Sequence, residues 1–597
     1  MHESILIGLA AILVLGILSQ WIAWSTHFPS ILILIITGFI VGPVTGFLDP
    51  DLLFGDLLIP VVSFSVAVIL YEGGLNLNIG ELKKIGNPVI SLISIGALIT
   101  LVLTSAAAHY ILGFDFKLAV LFGAILVVTG PTVIIPMIRQ IRPAGKIGKI
   151  LKWEGIVIDP IGAVLAVLVF EAMLIGGVKE AAQVTAIAIA KTVLIGGISG
   201  IAGGVVLMFL IRRYLMPDFL HNPASLMIMA VVYVASNHFQ HESGLLAATV
   251  MGIFLASQNM INIRPILEFK ENLRVLLISA LFIVLAARLP IDALQYFNWK
   301  FVLFMVVLIV LIRPLSVLAS TIGAKLDLKE KTFLSFMAPR GIVAAAVASI
   351  FELKLEAAGY SEPRIIVYFV FLVIIGTILV YGLGAPVAGR LLGVARSNPQ
   401  GVLIVGAHSW AREIAKSLQA EGFKVMLIDS SVINFTESKM DGFDVHFGSV
   451  LQPNLLYRLE FDEMGKLLAL TSNDEVNILS ALRFRKFFGR EGVFRLFSRS
   501  ESVSADKIVR SQLRARLLFG AKATFDGMDG RFEHGAIIKN TKITKEFDYQ
   551  KYLELYGHDT IPLFIINAKR ELFIYTRDNF REPKPGETLV SIVDKPE

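Results

Sequence analysis

Long apolar runs separated by short polar loops fill the first two thirds of the chain, and shorter alternating segments fill the rest. A bilayer core about 30 Å thick takes roughly 20 helical residues to cross, at 1.5 Å rise each. Thirteen runs meet or approach that length, near 4–24, 31–48, 57–76, 89–112, 118–138, 151–174, 185–211, 223–239, 244–258, 273–290, 300–322, 332–353 and 365–389. The eighth and ninth are short and are parted only by Gln240-His241-Glu242. After Arg396-Ser397-Asn398-Pro399 the period changes. Gly401–Gly406, Lys424–Asp429, Asp444–Gly448, Lys466–Thr471 and Val493–Phe497 are short apolar runs alternating with helical patterns, the first helix starting near Trp410. That alternation predicts a doubly wound α/β fold. Residues after about 530 are strand-rich, with Ile561–Asn567, Glu571–Tyr575 and Pro583–Ile592. The pattern divides the chain into a helical membrane part at 1–393, a Rossmann-like part at 394–530 and a small strand-rich lobe at 531–597.

Composition agrees with the pattern. The 597 residues are 55% hydrophobic and only 17% charged, which excludes an ordinary soluble enzyme and points to a polytopic protein embedded in a lipid bilayer. The net charge of +6 is no nucleic-acid signal, because the basic residues gather in short loops and in the last third. Loops on one side hold Lys83 and Lys84; Arg139, Arg142, Lys146, Lys149 and Lys152; Arg212 and Arg213; Arg264 and Lys270; and Lys325, Lys329 and Lys331. The other side holds Lys117, Lys179 and Arg364. The basic side is cytoplasmic by the positive-inside rule. The N-terminus is then outside and the C-terminal part cytoplasmic, as an odd number of spans also requires, in a bacterial-type inner membrane. There is no cysteine, so disulfides and thiolate metal sites are excluded. Ile5–Trp24 lacks a preceding basic region and a small-residue cleavage site, and reads as a retained first span.

Three features of the spans carry candidate chemistry. Asp159 lies seven residues past Lys152, towards the middle of the hydrocarbon core, where a carboxylate costs at least a few kcal/mol and marks a functional site. Gly155, Asp159, Gly162 and Ala166 share one helical face, so another backbone can come close to the acid. Pro160 frees the carbonyl of Ile156 and favours a kink at that point. Second, Thr129-Gly130-Pro131-Thr132 interrupts the fifth span and Ala338-Pro339-Arg340-Gly341 the twelfth. Such breaks survive only inside protein or along a cavity, and two of them, in spans of opposite direction, point to a transport site built from inverted repeats. Third, Arg340 is placed to neutralise the ends of broken helices or to pair with Glu154. Glu154 lies about 140° around the helix from Asp159. The expectation is therefore a structural Glu154–Arg340 ion pair, with Asp159 left free to titrate. Arg313, followed by Pro314, is expected to find some buried partner. Glu72, before Gly73 and Gly74, either lines a cytoplasmic funnel or faces headgroups.

In the last third, Gly406-Ala407-His408-Ser409-Trp410-Ala411 keeps the turn glycine of a dinucleotide fingerprint but has His408 at the second glycine position. Asp429, followed by Ser430, ends the second strand 23 residues after Gly406, well placed for ribose hydroxyls. A nucleotide, AMP/ATP or NAD-like, is the expected ligand.

Tyr71-Glu72-Gly73-Gly74-Leu75, Thr129-Gly130-Pro131, Glu154 with Asp159, Glu242-Ser243-Gly244-Leu245-Leu246-Ala247, Phe269-Lys270-Glu271-Asn272-Leu273-Arg274 and Pro339-Arg340-Gly341 together make residues 1–393 resemble the cation–proton antiporter superfamily, closest to its electroneutral NhaP-like sodium/proton branch. The resemblance implies a thirteen-helix protomer, a homodimer and an elevator-like alternating-access motion. It implies a monovalent-cation site at Asp159, with oxygens from around Thr129 and Thr132. Three positions depart from the family pattern: Gly130 stands where an acid is common, Ile158 where asparagine or a second aspartate is common, and Gly155 where a small polar residue is expected. The expected activity is exchange of Na⁺ or Li⁺ for H⁺ without enzymatic catalysis, with K⁺/H⁺ exchange as the close alternative. A ligand-gated channel would carry a Thr-Val-Gly-Tyr-Gly-type filter, which this sequence lacks, and a membrane-bound dehydrogenase would need a catalytic constellation that the tail does not offer. The C-terminal part resembles the ligand-gating domains called RCK or TrkA-N, a likeness strengthened by Thr471-Ser472-Asn473-Asp474-Glu475-Val476-Asn477. It implies a nucleotide site shared by Gly406, His408, Ser409, Asp429, Ser430, Thr471 and Asn473, serving regulation.

Overall fold

The computed structural model describes residues 2–26, 28–141, 143, 145–175, 178–258, 260–357, 359–360, 362–394, 400–452, 459, 463–497, 515–520 and 523–594. It forms two compact units, Met1–Ser397 and Asn398–Glu597. The predicted junction at Arg396–Pro399 lies outside the described residues.

The first unit is helical. Its principal elements are α1 (His2–Thr26), α2 (Ser30–Phe39), α3 (Leu58–Leu75), α4 (Asn87–Leu112), α5 (Phe116–Ile125), α6 (Pro131–Ile141), α7 (Ile147–Ile175), α8 (Val178–Arg212), α9 (His221–Phe239), α10 (Ser243–Ser257), α11 (Arg264–Ala287), α12 (Trp299–Ser320), α13 (Leu328–Ser335), α14 (Ile342–Ala357) and α15 (Ile365–Leu391). Among the described residues, eight helical stretches are long and apolar enough to cross a membrane, α7, α8, α12 and α15 among them. Ser30–Val44, Phe116–Ile125 and Ser243–Ser257 are shorter apolar helices. Polar side chains start several helices. Asp115 accepts from the Lys117 amide ahead of α5, Asn298 from the Phe301 amide ahead of α12, and Asp327 with Glu330 forms a capping box on α13.

Small residues set the helix packing. An added Cβ on Gly74 would lie 2.4 Å from the Thr249 carbonyl, and one on Gly252 would lie 2.4 Å from the Tyr71 carbonyl, so α3 and α10 cross backbone to backbone. Both predicted breaks are present. The fifth run stops after Ile125 and resumes at Pro131; the twelfth stops after Ser335 and resumes at Ile342. The helix α7 runs from Ile147 to Ile175 with Pro160 inside it.

The second unit holds two sheets. Strands β1 (Gly401–Val405), β2 (Val425–Asp429), β3 (Asp444–Phe447), β4 (Met464–Ala469), β5 (Val493–Arg495) and β6 (Arg516–Leu517) are parallel, in the order β3-β2-β1-β4-β5-β6. Helices α16 (Ser409–Ala420), α17 (Val432–Met440) and α18 (Asp474–Phe488) alternate with them. This is the doubly wound order with its crevice at the carboxyl ends of β1 and β4. After α19 (Phe525–Glu533), strands β7 (Ile537–Lys542), β8 (Ile561–Ile566), β9 (Leu572–Ile574) and β10 (Thr588–Val593) form an antiparallel sheet ordered β7-β10-β8-β9. The two sheets share one hydrophobic core, in which Val402, Ile404 and Trp410 join Leu563, Phe564 and Val590. A single side-chain oxygen also ties them: Gln400 Oε1 accepts from Lys466 Nζ on β4 at 2.7 Å and from the Leu572 amide on β9 at 2.9 Å.

Candidate functional site

The two breaks cross at glycines. A Cβ on Gly130 would lie 2.4 Å from Gly341 Cα, and the Gly130 amide donates to the Pro339 carbonyl at 3.0 Å. No other residue lets two unwound backbones come so near. Against this crossing lies one face of α7. A Cβ on Gly162 would lie 2.3 Å from Val128 Cγ2; one on Gly155 would lie 3.5 Å from Pro131 Cα and 3.6 Å from the Thr129 carbonyl oxygen. Asp159 sits between these glycines, fully buried, and neither carboxylate oxygen has a hydrogen-bond partner among the described residues. The buried hydroxyls of Thr129 and Thr132 are also without partners there. Buried polar atoms are ordinarily satisfied, so four oxygens without partners among the described residues, on or beside the unwound backbone, stand out. Thr129 lines a cleft of about 310 Å³ with Glu154, Arg313 and Arg340. Thr132 lines a separate cleft of about 790 Å³ with Gln20, Pro29 and Gly382.

The expected Glu154–Arg340 pair is not formed. Glu154 is held by Arg313 in a two-pronged pair, at 2.5 Å (Nη1–Oε1) and 3.0 Å (Nη2–Oε2). Arg313 also donates to the carbonyls of Leu334 (3.3 Å) and Met337 (3.0 Å), at the open end of α13. Arg340 takes the other open end: its Nη1 donates to the Val128 carbonyl at 3.2 Å, and its amide to Thr377 Oγ1 at 3.2 Å. The reason is local. Each break leaves helix carbonyls unpaired, and Arg340, inside one break, reaches those of the other, which leaves Glu154 to Arg313. Each arginine thus meets the negative end of a broken helix, the role Arg340 was expected to share.

Two buried features near the C-terminal end of α3 escape a reading by sequence. Glu72 neither lines a funnel nor faces headgroups; it pairs with Arg274 Nη1 at 3.2 Å and accepts from Asn76 Nδ2 at 2.9 Å. Lys270 is fully buried, with Nζ 5.5 Å from the Tyr71 ring centroid and 5.4 Å from that of Phe269. Both charges stand near span ends in the sequence, but nothing local marks them as partners.

Residues 8–389 match the sodium/hydrogen exchanger family, transmembrane part. The chain belongs to the sodium/hydrogen exchanger family. Residues 402–513 of this exchanger match the TrkA-N domain. It is 28% identical to the Na⁺/H⁺ antiporter 1 of Methanocaldococcus jannaschii, over 57% of this chain and 81% of that protein. It is 25% identical to the K⁺/H⁺ antiporter NhaP of Alkalimonas amylolytica, over 63% of this chain and 64% of that one. In fold it matches the structure of the sodium proton antiporter MjNhaP1 from Methanocaldococcus jannaschii at pH 8, with TM-score 0.57 and 24% identity, over 65% of this chain and all of that one. The exchanger is a multi-pass membrane antiporter of Na⁺ or K⁺ against H⁺, with a C-terminal TrkA-N domain, and is not an enzyme.

A nucleotide fits the exchanger's TrkA-N domain in part. Gly406 (φ +104°) makes the tight turn that only glycine adopts easily, and Ser409 is exposed at the start of α16. His408 occupies the second glycine position. Its ring centroid lies 4.3 Å from that of Trp410 and 5.1 Å from that of Phe525, and Nε2 is 2.8 Å from the Leu470 carbonyl. Burial lowers its basicity below the ordinary histidine value. Asp429 Oδ2 already accepts from the Ala407 amide and from Asn434 Nδ2, and Oδ1 accepts from the Ser431 amide, leaving Oδ1 one further acceptor position. Ser430 is exposed beside it. Thr471 bonds Asn477 and the Asn473 carbonyl, and the Asn473 side chain caps α18. The turn and the helix start suit a phosphate; the fit to a ribose diol is incomplete.

Proposed function

We propose that this exchanger swaps Na⁺ or Li⁺ for H⁺ by alternating access at Asp159. The observation that carries the reading is the fully buried Asp159, with both oxygens unpartnered among the described residues, on the α7 face that packs on the 126–130 break. A lone carboxylate in such a place holds a proton or a partly dehydrated cation, and each expels the other, because burial favours the neutral acid and a bound cation favours the carboxylate. The empty, charged site is too costly to move through the hydrocarbon core, so only loaded forms cross and exchange is coupled. One titratable acid gives one proton per cation and no net charge movement. Thr129 and Thr132 hydroxyls and the backbone around Gly130 and Gly155 complete the coordination, while the Glu154–Arg313 pair and Arg340 hold the broken ends.

The wider reading is thirteen crossings, five of them made by helices too short or too polar to qualify alone. The repeats are inverted and the protein is homodimeric in an inner membrane, with the N-terminus outside and the TrkA-N domain cytoplasmic. That domain is a regulator, with a nucleotide phosphate at the start of α16 and one ribose hydroxyl on Asp429. Potassium is the competing cation, because one of the similar proteins is named a K⁺/H⁺ antiporter.

Proton flux in proteoliposomes on adding Na⁺, Li⁺ or K⁺, for the native chain and Asp159→Asn, tests this. Cation-driven proton movement that disappears in the variant is the expected result, and the responding ion sets the selectivity. Coupled flux in Asp159→Asn would place the exchange site elsewhere.

A further inference from the structure

Beyond Asp159, the same face of α7 continues into a third cleft, of about 400 Å³. Ala163 and Val167, one and two turns past the acid, form one wall. Val66 on α3, Leu245 on α10 and Val347 on α14 are among the others. These walls are apolar. Glu242 is the one ionisable side chain among the described lining residues. It sits at the tight turn between α9 and α10 with φ +64°, a left-handed conformation that a non-glycine residue holds only where its surroundings require it.

Burial pushes the Glu242 carboxyl above its ordinary range, and Lys354 offsets part of that. Lys354 is on α14, with Nζ 5.4 Å from the ring centroid of Phe351, itself a lining residue, and 6.0 Å from that of Phe170. A carboxyl group thus lines, and an ammonium flanks, a cleft whose far wall leads, within about 12 Å of helix rise, to Asp159.

We propose that Glu242 is a recruiting site for the transported cation at the membrane face where α9 meets α10, and that Lys354 is the counter-charge the incoming cation displaces. This rests on Asp159 being the exchange site. An acid in a low-dielectric cleft concentrates cations by focusing the local field, and a neighbouring ammonium competes with them for it. The two residues therefore act in opposite directions on apparent affinity at that face, and on that face only.

The test is Na⁺ or Li⁺ dependence of exchange in right-side-out and everted membrane vesicles. Glu242→Gln should raise KM about tenfold at one face and leave it unchanged at the other, while the rate at saturating cation falls less than about twofold. Lys354→Met should lower KM at that same face, and Glu242→Asp should restore most of the native value. Unchanged KM at both faces, or an equal rise at both, would overturn the proposal, as would a KM in Lys354→Met that does not fall. Asp159→Asn separates the two readings. If it retains coupled exchange, the exchange site is wrong, whereas the sidedness of Glu242→Gln still reports on the cleft.

Discussion

Gly130 and Gly341 meet so closely that a methyl group on Gly130 would sit 2.4 Å from the Cα of Gly341. They lie 211 positions apart in the chain, each in the unwound middle of a different span. The contact fixes how the two breaks cross, and so where the orphan hydroxyls of Thr129 and Thr132 stand. Gly130→Ala should cost about 1–3 kcal/mol from overpacking, and cation-dependent proton flux should fall far more than the amount of folded protein. Flux per folded transporter, with folding followed by thermal shift in detergent, checks this. Native turnover in Gly130→Ala would mean the crossing tolerates separation.

The partner of Glu154 is testable by a double-mutant cycle. Arg313→Ala should destabilise the transporter by about 3–5 kcal/mol, because it strands a buried carboxylate. Adding Glu154→Gln should recover part of that loss. The cycle between Glu154 and Arg340 should show little coupling. A large Glu154–Arg340 coupling energy from thermal unfolding would contradict the geometry.

Thr129 and Thr132 open on different clefts. Removing a ligand hydroxyl costs about 1 kcal/mol, roughly a fivefold rise in KM. Thr129→Val and Thr132→Val should each raise the KM for the transported cation by that order, with little change in proton affinity in the absence of cation. Flux measured against cation concentration, at fixed pH, separates them from simple structural damage, which would lower the maximal rate instead.

Stability of the C-terminal unit should rise with pH in two separate windows. Burial holds His408 below its ordinary 6.5, so the unfolded chain takes up a proton first as pH falls. The associated stability is complete above about 6.5 and is lost below it. Burial pulls Lys466 from 10.5 down to about 8, so the folded unit sheds a proton that the unfolded chain keeps, and stability climbs between those values. Hydrogen exchange of the intact protein, corrected for intrinsic rates, measures both. His408→Asn should flatten the lower window and Lys466→Met the upper one; unchanged slopes would show that other groups set them.

Much of this architecture is legible in the sequence, for physical reasons that also mark the limits. Apolar runs and their Gly-Pro interruptions are local, and lipid punishes every exception, so residue order alone places the breaks at Thr129–Thr132 and Ala338–Gly341. Five of the six strands of the parallel sheet announce themselves as short runs in the sequence; β6, only Arg516–Leu517, does not. Pairing across long separations is different. Glu154 lies 159 positions from Arg313 and 186 from Arg340, and the choice between two buried guanidiniums depends on which helix end each can reach. The Glu72–Arg274 pair is hidden for the same reason. Strand β7 escapes a reading by pattern because Ile537–Lys542 alternates weakly, with exposed and half-buried positions and little apolar content beyond Ile537 and Ile538. The shared core of the two sheets has no local signature at all.

One bond pair gives the C-terminal unit a mechanical character. Because Gln400 Oε1 is gripped by Lys466 in the parallel sheet and by the Leu572 amide in the antiparallel one, the chain enters this unit through a handle welded to both halves. Displacing Gln400, or removing its amide oxygen, is therefore felt by the two sheets at once and not by one of them alone.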